Sequence, residues 1–395
     1  MPFETYTQQI LKIFLEEVKN AKYEKEDKFF IKVRLEKIME NEKIFLPPLQ
    51  KEKLLQLLID NLIGLGPLED LLRDDQISEI MVNGKDQIFI EQNGCIVQTN
   101  LTFRSEDDLL RIIRRIAGKI GRRIDESSPM VDARLQDGSR VNAIIRPLSL
   151  IGPVLTIRKF PKEAFNIEKL LKFRSATSEM VKILKECVEK KWNILISGGT
   201  GSGKTSLLNA LANCIPKNER ILTIEDSAEM KIDHPHLISL ESRPMNIEGK
   251  GEITIRGLVK NALRMRPDRI IVGEIRGGEA IDMLQAMNTG HKGSLTTIHA
   301  NAPLEALSRL ETMTLMSNLE LPLPAIQTQI QQSVDLIIQQ QRLSNGQRKI
   351  MSIEEVEKNN DIKQGYKLNI WFKYDRKKDV FIASDQVPKE IPYYS

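Results

Sequence analysis

Residues 192–214 read WNILISGGTGSGKTSLLNALANC, and this stretch decides the fold of the chain. The apolar run 192–196 predicts a buried strand, and the glycine-rich turn 198–203 follows it. Lys204 and Thr205 then open a segment whose leucines recur at the spacing of one helix face. The pattern G-x-x-x-x-G-K-[ST] requires this order of strand, glycine turn and helix. The stretch therefore predicts a phosphate-binding loop.

The chemistry of such a loop explains its residue types. Glycines let backbone N–H groups approach phosphate oxygens closely, and the helix N-terminus adds its partial positive charge. Lys204 is expected to reach the β- and γ-phosphates of ATP, and the Thr205 hydroxyl to ligate Mg²⁺. The alternative is a glycine turn without a ligand, which the flanking strand and helix disfavour. The candidate nucleotide-binding residues are Gly198, Gly199, Thr200, Gly201, Ser202, Gly203, Lys204, Thr205 and Ser206.

Composition bounds the class of protein. The 395 residues leave room for two or three domains, and the net charge of +4 is too small for a dedicated nucleic-acid binder. No apolar run is long enough to span a bilayer and the N-terminus lacks a signal-peptide pattern, so we expect a cytoplasmic protein. Cys95, Cys187 and Cys214 are far apart and fit reduced thiols. No Cys and His cluster suggests zinc.

Two predicted units precede the phosphate loop. Residues 1–58 have helical periodicity and predict an N-terminal helical extension, either a simple appendage or a partner-binding surface. Residues 59–160 alternate strand-like segments with Asn-Gly and Asp-Gly turns around a helix at 105–123, which predicts a compact α+β domain. That helix is rich in arginine. Because few aromatic residues accompany the arginines, a solvated helix face is favoured over a nucleic-acid or membrane patch.

The remaining chain predicts an α/β core with a short tail. Residues 161–175 are predicted to be a linker, 176–345 the core domain and 346–395 a small β-rich end piece. Within 176–345, apolar runs alternate with helical stretches. This alternation is typical of a mostly parallel sheet with helices on both faces.

Polar residues that suit nucleotide hydrolysis follow several predicted strands of this core. Glu225 and Asp226 end RILTIED, Glu274 lies in RIIVGEIR, and His299 lies in GSLTTIHA. Ligands bind outside the carboxyl ends of parallel strands, so these side chains are expected to gather around the phosphate loop. Any one of them alone could be a turn, capping or core residue. Their combination with the phosphate loop favours a single nucleotide site.

Hydrolysis requires a water in line with the γ-phosphate and a carboxylate that orients it. Glu274 is the first candidate for this carboxylate. Gly273 occupies the place of the usual Walker B aspartate, so Mg²⁺ is expected on Thr205 and on waters that Glu225 or Glu274 fix. His291, in the glycine-flanked segment TGHKGS, is a further candidate for sensing phosphate.

Four segments resemble the Walker A, Asp box, Walker B and His box of the type II/IV secretion (traffic) ATPases. In chain order they are ILISGGTGSGKTSLLNAL, LTIEDSAEM, RPDRIIVGEIRGGEA and GHKGSLTTIHANAP. The resemblance covers roughly residues 60–345. It looks most like the CpaF/TadA branch, the motor of tight-adherence (Flp) pilus assembly. It implies a RecA-like P-loop core preceded by a small α+β domain and an N-terminal helical extension.

The resemblance also implies an assembly and a set of roles. It implies a hexameric Mg-ATPase at the cytoplasmic side of the inner membrane, bound to a membrane platform that assembles pilin. It implies that arginines of the N-terminal domain reach the phosphates, and Arg140 and Arg158 match these positions, with Arg134 as a weaker candidate. The alternative for Arg140 is a salt bridge within a β-turn.

The same resemblance implies roles for three residues of the core domain. Glu274 would polarise the attacking water, Glu225 would support this water or the magnesium, and His299 would sense the γ-phosphate. Three other functions stay open. They are a conjugation or effector-secretion ATPase of the same family, a ring-shaped nucleic-acid translocase, and a scaffold that binds nucleotide without turnover. The low net charge disfavours the translocase, and the complete set of boxes disfavours the scaffold.

Overall fold

The chain folds as two compact units, Met1–Lys162 and Glu163–Ser395. The computed structural model describes residues 2–19, 28–92, 94–160, 165–243, 245, 250–317, 319–358 and 365–393. Within these ranges, no helix combines the length and the apolar character that crossing a membrane requires.

Three helices open the first unit. Their bounds are Pro2–Lys19 (α1), Lys28–Asn41 (α2) and Pro48–Leu62 (α3). In α3 the buried stripe passes through Leu54, Leu55 and Leu58. Leu49 and Leu57 of the same helix are exposed. α3 also continues past residue 58, so the predicted extension and the domain after it share one helix.

A six-stranded antiparallel sheet forms the rest of the first unit, in the order β3-β2-β1-β6-β5-β4. Ser105 caps α5 by accepting a hydrogen bond from the Asp108 N–H at 3.2 Å. The helix ends at Lys119, so Arg122 and Arg123, predicted in its last turn, lie beyond it. The elements are a 3₁₀ turn Gly66–Leu68, α4 (Glu69–Arg73), β1 (Ile77–Asn83), β2 (Gln87–Gln92), β3 (Cys95–Gln98), α5 (Glu106–Lys119), β4 (Met130–Arg134), β5 (Arg140–Ile144) and β6 (Val154–Arg158).

The second unit contains a nine-stranded sheet in the order β15-β14-β13-β12-β7-β11-β10-β8-β9. Its elements are α6 (Ile167–Lys172), α7 (Ser178–Glu189), β7 (Ile194–Gly198), α8 (Lys204–Ala212), β8 (Ile221–Glu225), β9 (Leu237–Glu241), α9 (Ile255–Ala262), β10 (Arg269–Val272), α10 (Glu279–Asn288), β11 (Leu295–Ile298), α11 (Pro303–Leu315), α12 (Leu323–Ser333), β12 (Leu336–Arg342), β13 (Arg348–Val356), β14 (Leu368–Asp375) and β15 (Val380–Ala383).

Six parallel strands, β12, β7, β11, β10, β8 and β9, form the centre of this sheet. Strands β13 to β15, which lie in the predicted β-rich end piece 346–395, continue this sheet in antiparallel pairs. The predicted linker 161–175 also differs from the structure. Residues 161–164 lie outside the described ranges. α6 follows, and Ile167 and Leu170 are buried in the core of the second unit.

Helices cover both faces of the sheet, as the alternating pattern predicted. On one face, α7 and α8 pack over β7 in a core that includes Trp192 and Trp371. The centroids of these two rings lie 5.4 Å apart. The other face packs against α9 to α12. β7 itself begins at Ile194, two residues after the predicted start, because its pairing with β11 and β12 begins there.

A buried arginine ties the amino ends of the parallel strands together. Arg269, at the start of β10, is fully buried and forms a salt bridge with Glu219. Its guanidinium donates to the carbonyl oxygens of Val188 at 2.7 Å and Gly293 at 3.1 Å. A Cβ added to Gly293 would lie 2.0 Å from Arg269 Nη1. Only glycine fits at this position.

We expect Gly293→Ala to destabilise the second unit by about 3 kcal/mol more than Gly290→Ala, because it displaces a buried ion pair. Both glycines have positive φ, 81° at Gly293 and 100° at Gly290, so backbone strain is common to both variants. At Gly290 an added Cβ meets no described atom within 4 Å. Urea unfolding followed by tryptophan fluorescence reports on this unit, because Trp192 and Trp371 both lie in it. Equal losses in the two variants would contradict the expectation.

Candidate functional site

The predicted phosphate loop connects β7 to α8. Gly201 and Gly203 have φ values of 70° and 95°, which side-chain-bearing residues rarely adopt. A Cβ added to Gly198 would lie 2.4 Å from the carbonyl oxygen of Gln340 in β12. α8 begins at Lys204, directly after the loop, so the positive end of the helix dipole meets the loop. Sequence and structure therefore agree on a loop with the shape and polarity that suit phosphate.

Lys204 is the cation of this loop. It is 8% exposed, and its Nζ donates to the Gly199 carbonyl oxygen at 3.1 Å. The same Nζ lies 3.4 Å from each ring nitrogen of His299. Burial lowers the pKa of the Lys204 amine, although the charge of Glu274 opposes this shift. An anionic phosphate beside Lys204 would offset the cost of burying its charge.

Glu274 and His299 meet beside this lysine. Glu274 follows the end of β10, and its Oε1 lies 2.7 Å from His299 Nε2. Arg276 Nε donates to Glu274 Oε2 at 2.8 Å, and Arg276 Nη1 donates to Asp226 Oδ2 at 3.2 Å. Lys204 at the start of α8, Glu274 after β10 and His299 after β11 thus form one cluster.

Arg276 is a member of the cluster that the sequence analysis missed. Although burial opposes it, the hydrogen bond with Glu274 raises the pKa of the Arg276 guanidinium. The sequence GEIR does contain this arginine, two residues after the candidate base Glu274. The sequence alone does not show that the turn after β10 brings the Arg276 side chain into contact with both Glu274 and Asp226.

Glu225 lies at the end of β8 and is 4% exposed. Its Oε1 accepts hydrogen bonds from the N–H groups of Glu229 at 2.9 Å and Met230 at 3.2 Å. A Cβ added to Gly273 would lie 3.0 Å from Glu225 Cγ. Glu225 therefore fills the space that an aspartate at position 273 would need. Because its carboxylate holds the loop after β8, it suits support of magnesium through water better than direct ligation.

The chemistry of these residues fits Mg-ATP. Ser202 Oγ is buried in the phosphate loop and has no hydrogen-bond partner within the described part of the chain. The hydroxyl of Thr205 stands in the first turn of α8, next to Lys204. Mg²⁺ binds through one or two protein ligands together with phosphate oxygens and waters, so the Thr205 hydroxyl suits the role of one such ligand.

A row of three arginines crosses the sheet of the first unit. Arg134 is opposite Arg140 in the β4–β5 pair, and Arg140 is opposite Arg158 in the β5–β6 pair. Residues directly opposite in an antiparallel pair share a face, and like charges there repel. The row lies away from the core, because the neighbouring Val141 points into that core. The three candidate arginines therefore share one face of the sheet, and the row continues to Glu79 of β1, which is opposite Arg158.

Other candidates have structural roles or lie elsewhere. His291 precedes β11, so it lies at the amino ends of the parallel strands, opposite the phosphate loop. The proposal of a phosphate sensor at His291 is therefore wrong. The arginines around α5 hold their own unit together. Arg111 donates to Asp108 at 2.6 Å, Arg115 to the Gly64 carbonyl at 2.6 Å, and Arg122 to the Asp132 carbonyl at 2.8 Å.

The parallel sheet, the phosphate loop and the cluster at the strand ends define an α/β nucleotide-binding protein. Residues 61–365 match the family described as Type II/IV secretion system protein, and the chain belongs to this family. The resemblance of the four sequence boxes is confirmed at this level. The RecA-like α/β fold is confirmed as well.

Individual relatives agree with this family. The chain is 32% identical over 283 residues to the conjugal transfer protein TrbB of Rhizobium radiobacter, covering 70% of this chain and 83% of TrbB. It is 32% identical over 289 residues to the type IV secretion system protein VirB11 of Bartonella quintana, covering 65% of this chain and 80% of VirB11. The structure of the pilus retraction motor PilT with bound ADP has the same fold, with a TM-score of 0.53 at 21% identity over 76% of this chain and 81% of PilT.

We expect His299 to be neutral at pH 7, because burial and the charge of Lys204 lower its pKa more than Glu274 raises it. Its NMR titration midpoint should lie below about 6.5, the ordinary value. Lys204→Ala should raise this midpoint and Glu274→Gln should lower it further, with His299→Gln assigning the signal. The unfolded chain binds this proton more readily, so the stability linked to His299 is fully present above about pH 6.5 and is lost as the pH falls from there through the lower pKa of the folded state. A wild-type midpoint above 6.5 would contradict the assignment.

Proposed function

We propose that this protein is a P-loop ATPase that converts ATP hydrolysis into mechanical work. One observation carries the proposal. Lys204, Glu274 and His299 converge beside the phosphate loop, with Glu274 Oε1 2.7 Å from His299 Nε2. Membership of the secretion family supports it, as does the similarity in fold to a motor that was solved with ADP.

The proposed roles follow the chemistry of each group. The glycine loop and Lys204 bind the phosphates, and Thr205 holds Mg²⁺, which neutralises charge on the phosphate oxygens. Glu274 orients and polarises the attacking water. Glu225 supports the metal through water and orders the loop after β8. His299, in contact with both Lys204 and Glu274, senses whether the γ-phosphate is present.

The arginine row of the first unit has a proposed role in the same reaction. Arg140 and Arg158, with Arg134 beside them, would stabilise the charge that develops on the γ-phosphate. The sequence resemblance implies that such arginines act near a subunit boundary of a hexameric ring. Motion of the first unit against the second would then bring the row to the phosphates and remove it again in each cycle.

We propose that this work drives pilus assembly or protein secretion through an inner-membrane platform, with the chain acting at the cytoplasmic side. The tight-adherence branch is the preferred machine, on the strength of the sequence resemblance. A type IV conjugation or effector-secretion machine is the second candidate, and the names of TrbB and VirB11 favour it. Co-purification of the full chain with the platform protein encoded beside its gene distinguishes a pilus platform from a conjugation apparatus.

Glu274→Gln should bind Mg-ATP as tightly as wild type but hydrolyse it at least about 100-fold more slowly, because the amide cannot accept a proton from water. Steady-state phosphate release and equilibrium binding of a fluorescent ATP analogue measure the two properties separately. Lys204→Ala is the contrast, since it should lose binding as well. Turnover at the wild-type rate in Glu274→Gln would exclude Glu274 as the base.

Arg140→Ala should lower the turnover of the assembled protein by roughly 10³-fold while ATP binding stays within a fewfold of wild type, because the guanidinium acts on the transition state. Arg123→Ala is the matched control from the same unit, since Arg123 is exposed and donates to Asp125 at 2.9 Å. Phosphate release and a sizing column run with Mg-ATP give the rate and the oligomeric state. Equal rates in the two variants would assign Arg140 a structural role.

A further inference from the structure

The turn between β12 and β13 lies beside the phosphate loop, on the flank away from the proposed catalytic residues. β7 lies between β11 and β12, so His299 is on one side of the loop and this turn is on the other. We refer to Gln340–Arg348, which joins the two strands, as the basic hairpin. Arg348 Nε donates to the Gly201 carbonyl oxygen at 3.0 Å. Arg342 Nη1 lies 3.8 Å from the position of a Cβ on Gly201.

Two like charges face each other at the end of this hairpin. Arg342 and Arg348 are direct cross-strand partners, so their side chains lie on the same face of the sheet. The hairpin is held against the loop, because Gln340 of β12 pairs with Gly198 of β7 and Arg348 bonds to the Gly201 carbonyl oxygen. The amide of Gln340, which is 2% exposed, lies 3.2 Å from the position of a Cβ on Gly203. Both guanidinium groups are therefore held beside the phosphate loop.

The orientation of the nucleotide follows from the catalytic cluster. Lys204 reaches the β- and γ-phosphates in loops of this type, and its Nζ lies toward His299. The γ-phosphate consequently belongs on the β11 flank. The α-phosphate, ribose and base then extend from the other end of the loop, toward the β12 flank and the basic hairpin.

We propose that Arg342 forms the subsite for the nucleoside end of the bound nucleotide, and that Arg348 positions the phosphate loop through Gly201. The proposal rests on the proposed function, because it takes ATP as the ligand. A guanidinium has two properties that suit a nucleoside subsite. It bonds phosphate and ribose oxygens with its N–H groups, and its flat face stacks on an aromatic base.

Two probes separate a nucleoside subsite from a general effect on the loop. ATPγS carries a triphosphate and a nucleoside, whereas inorganic tripolyphosphate carries the phosphates alone. Isothermal titration calorimetry of the full chain with each probe, in the presence of Mg²⁺, gives the two dissociation constants. Arg342→Ala should weaken ATPγS binding about tenfold and change tripolyphosphate binding less than twofold. Arg348→Ala should weaken both, because it releases the loop.

The controls make each outcome decisive. Lys377→Ala removes an exposed cation from the next hairpin of the same sheet and should change neither constant. Arg342→Lys keeps the charge but loses the flat fork, so it should recover only part of the ATPγS affinity. Normal wild-type binding with equal losses, or no loss, for both probes in Arg342→Ala overturns the subsite alone. A wild type that binds neither probe overturns the proposed function and the subsite with it.

Discussion

The site depends on the close approach of the phosphate loop to β12. Gly198 comes so near the Gln340 carbonyl that a Cβ would lie 2.4 Å from it, so no side chain fits between them. This contact fixes β7 against its neighbour on one side. On the other side, β7 pairs with β11, which delivers His299 to Lys204. A single central strand therefore sets both flanks of the nucleotide site.

The opposite end of the sheet maintains that alignment. Asn193, just before β7, accepts hydrogen bonds from the N–H groups of Gly293 at 2.9 Å and Ser294 at 3.0 Å. Its own N–H donates to Asp335 at 2.9 Å, just before β12. Together with Arg269, these contacts hold the amino ends of the central strands in register. Because strands are stiff over four or five residues, the candidate site residues at their carboxyl ends are held in register too.

The sequence predicted those parts of the structure that depend on local order. The phosphate loop needs only strand, turn and helix in sequence, and the rule for strand ends brought Glu274 and His299 together. Ligands bind at the carboxyl ends of parallel strands, whereas His291 precedes β11 and so lies at the opposite ends. Long-range register was not readable from the sequence. The contact between Arg276 and Glu274 depends on the turn after β10. The antiparallel extension of the sheet depends on the pairing of β13 with β12.

Arginines meet as cross-strand partners in both units. The pair Arg342 and Arg348 belongs to the same unit as the phosphate loop, so its distance from the loop is fixed. The row of Arg134, Arg140 and Arg158 belongs to the other compact unit. In the proposed motor, the fixed pair would therefore contribute to holding the nucleotide throughout the cycle. The row would contribute only when its unit is in position, and in the proposed motor this dependence would link hydrolysis to movement.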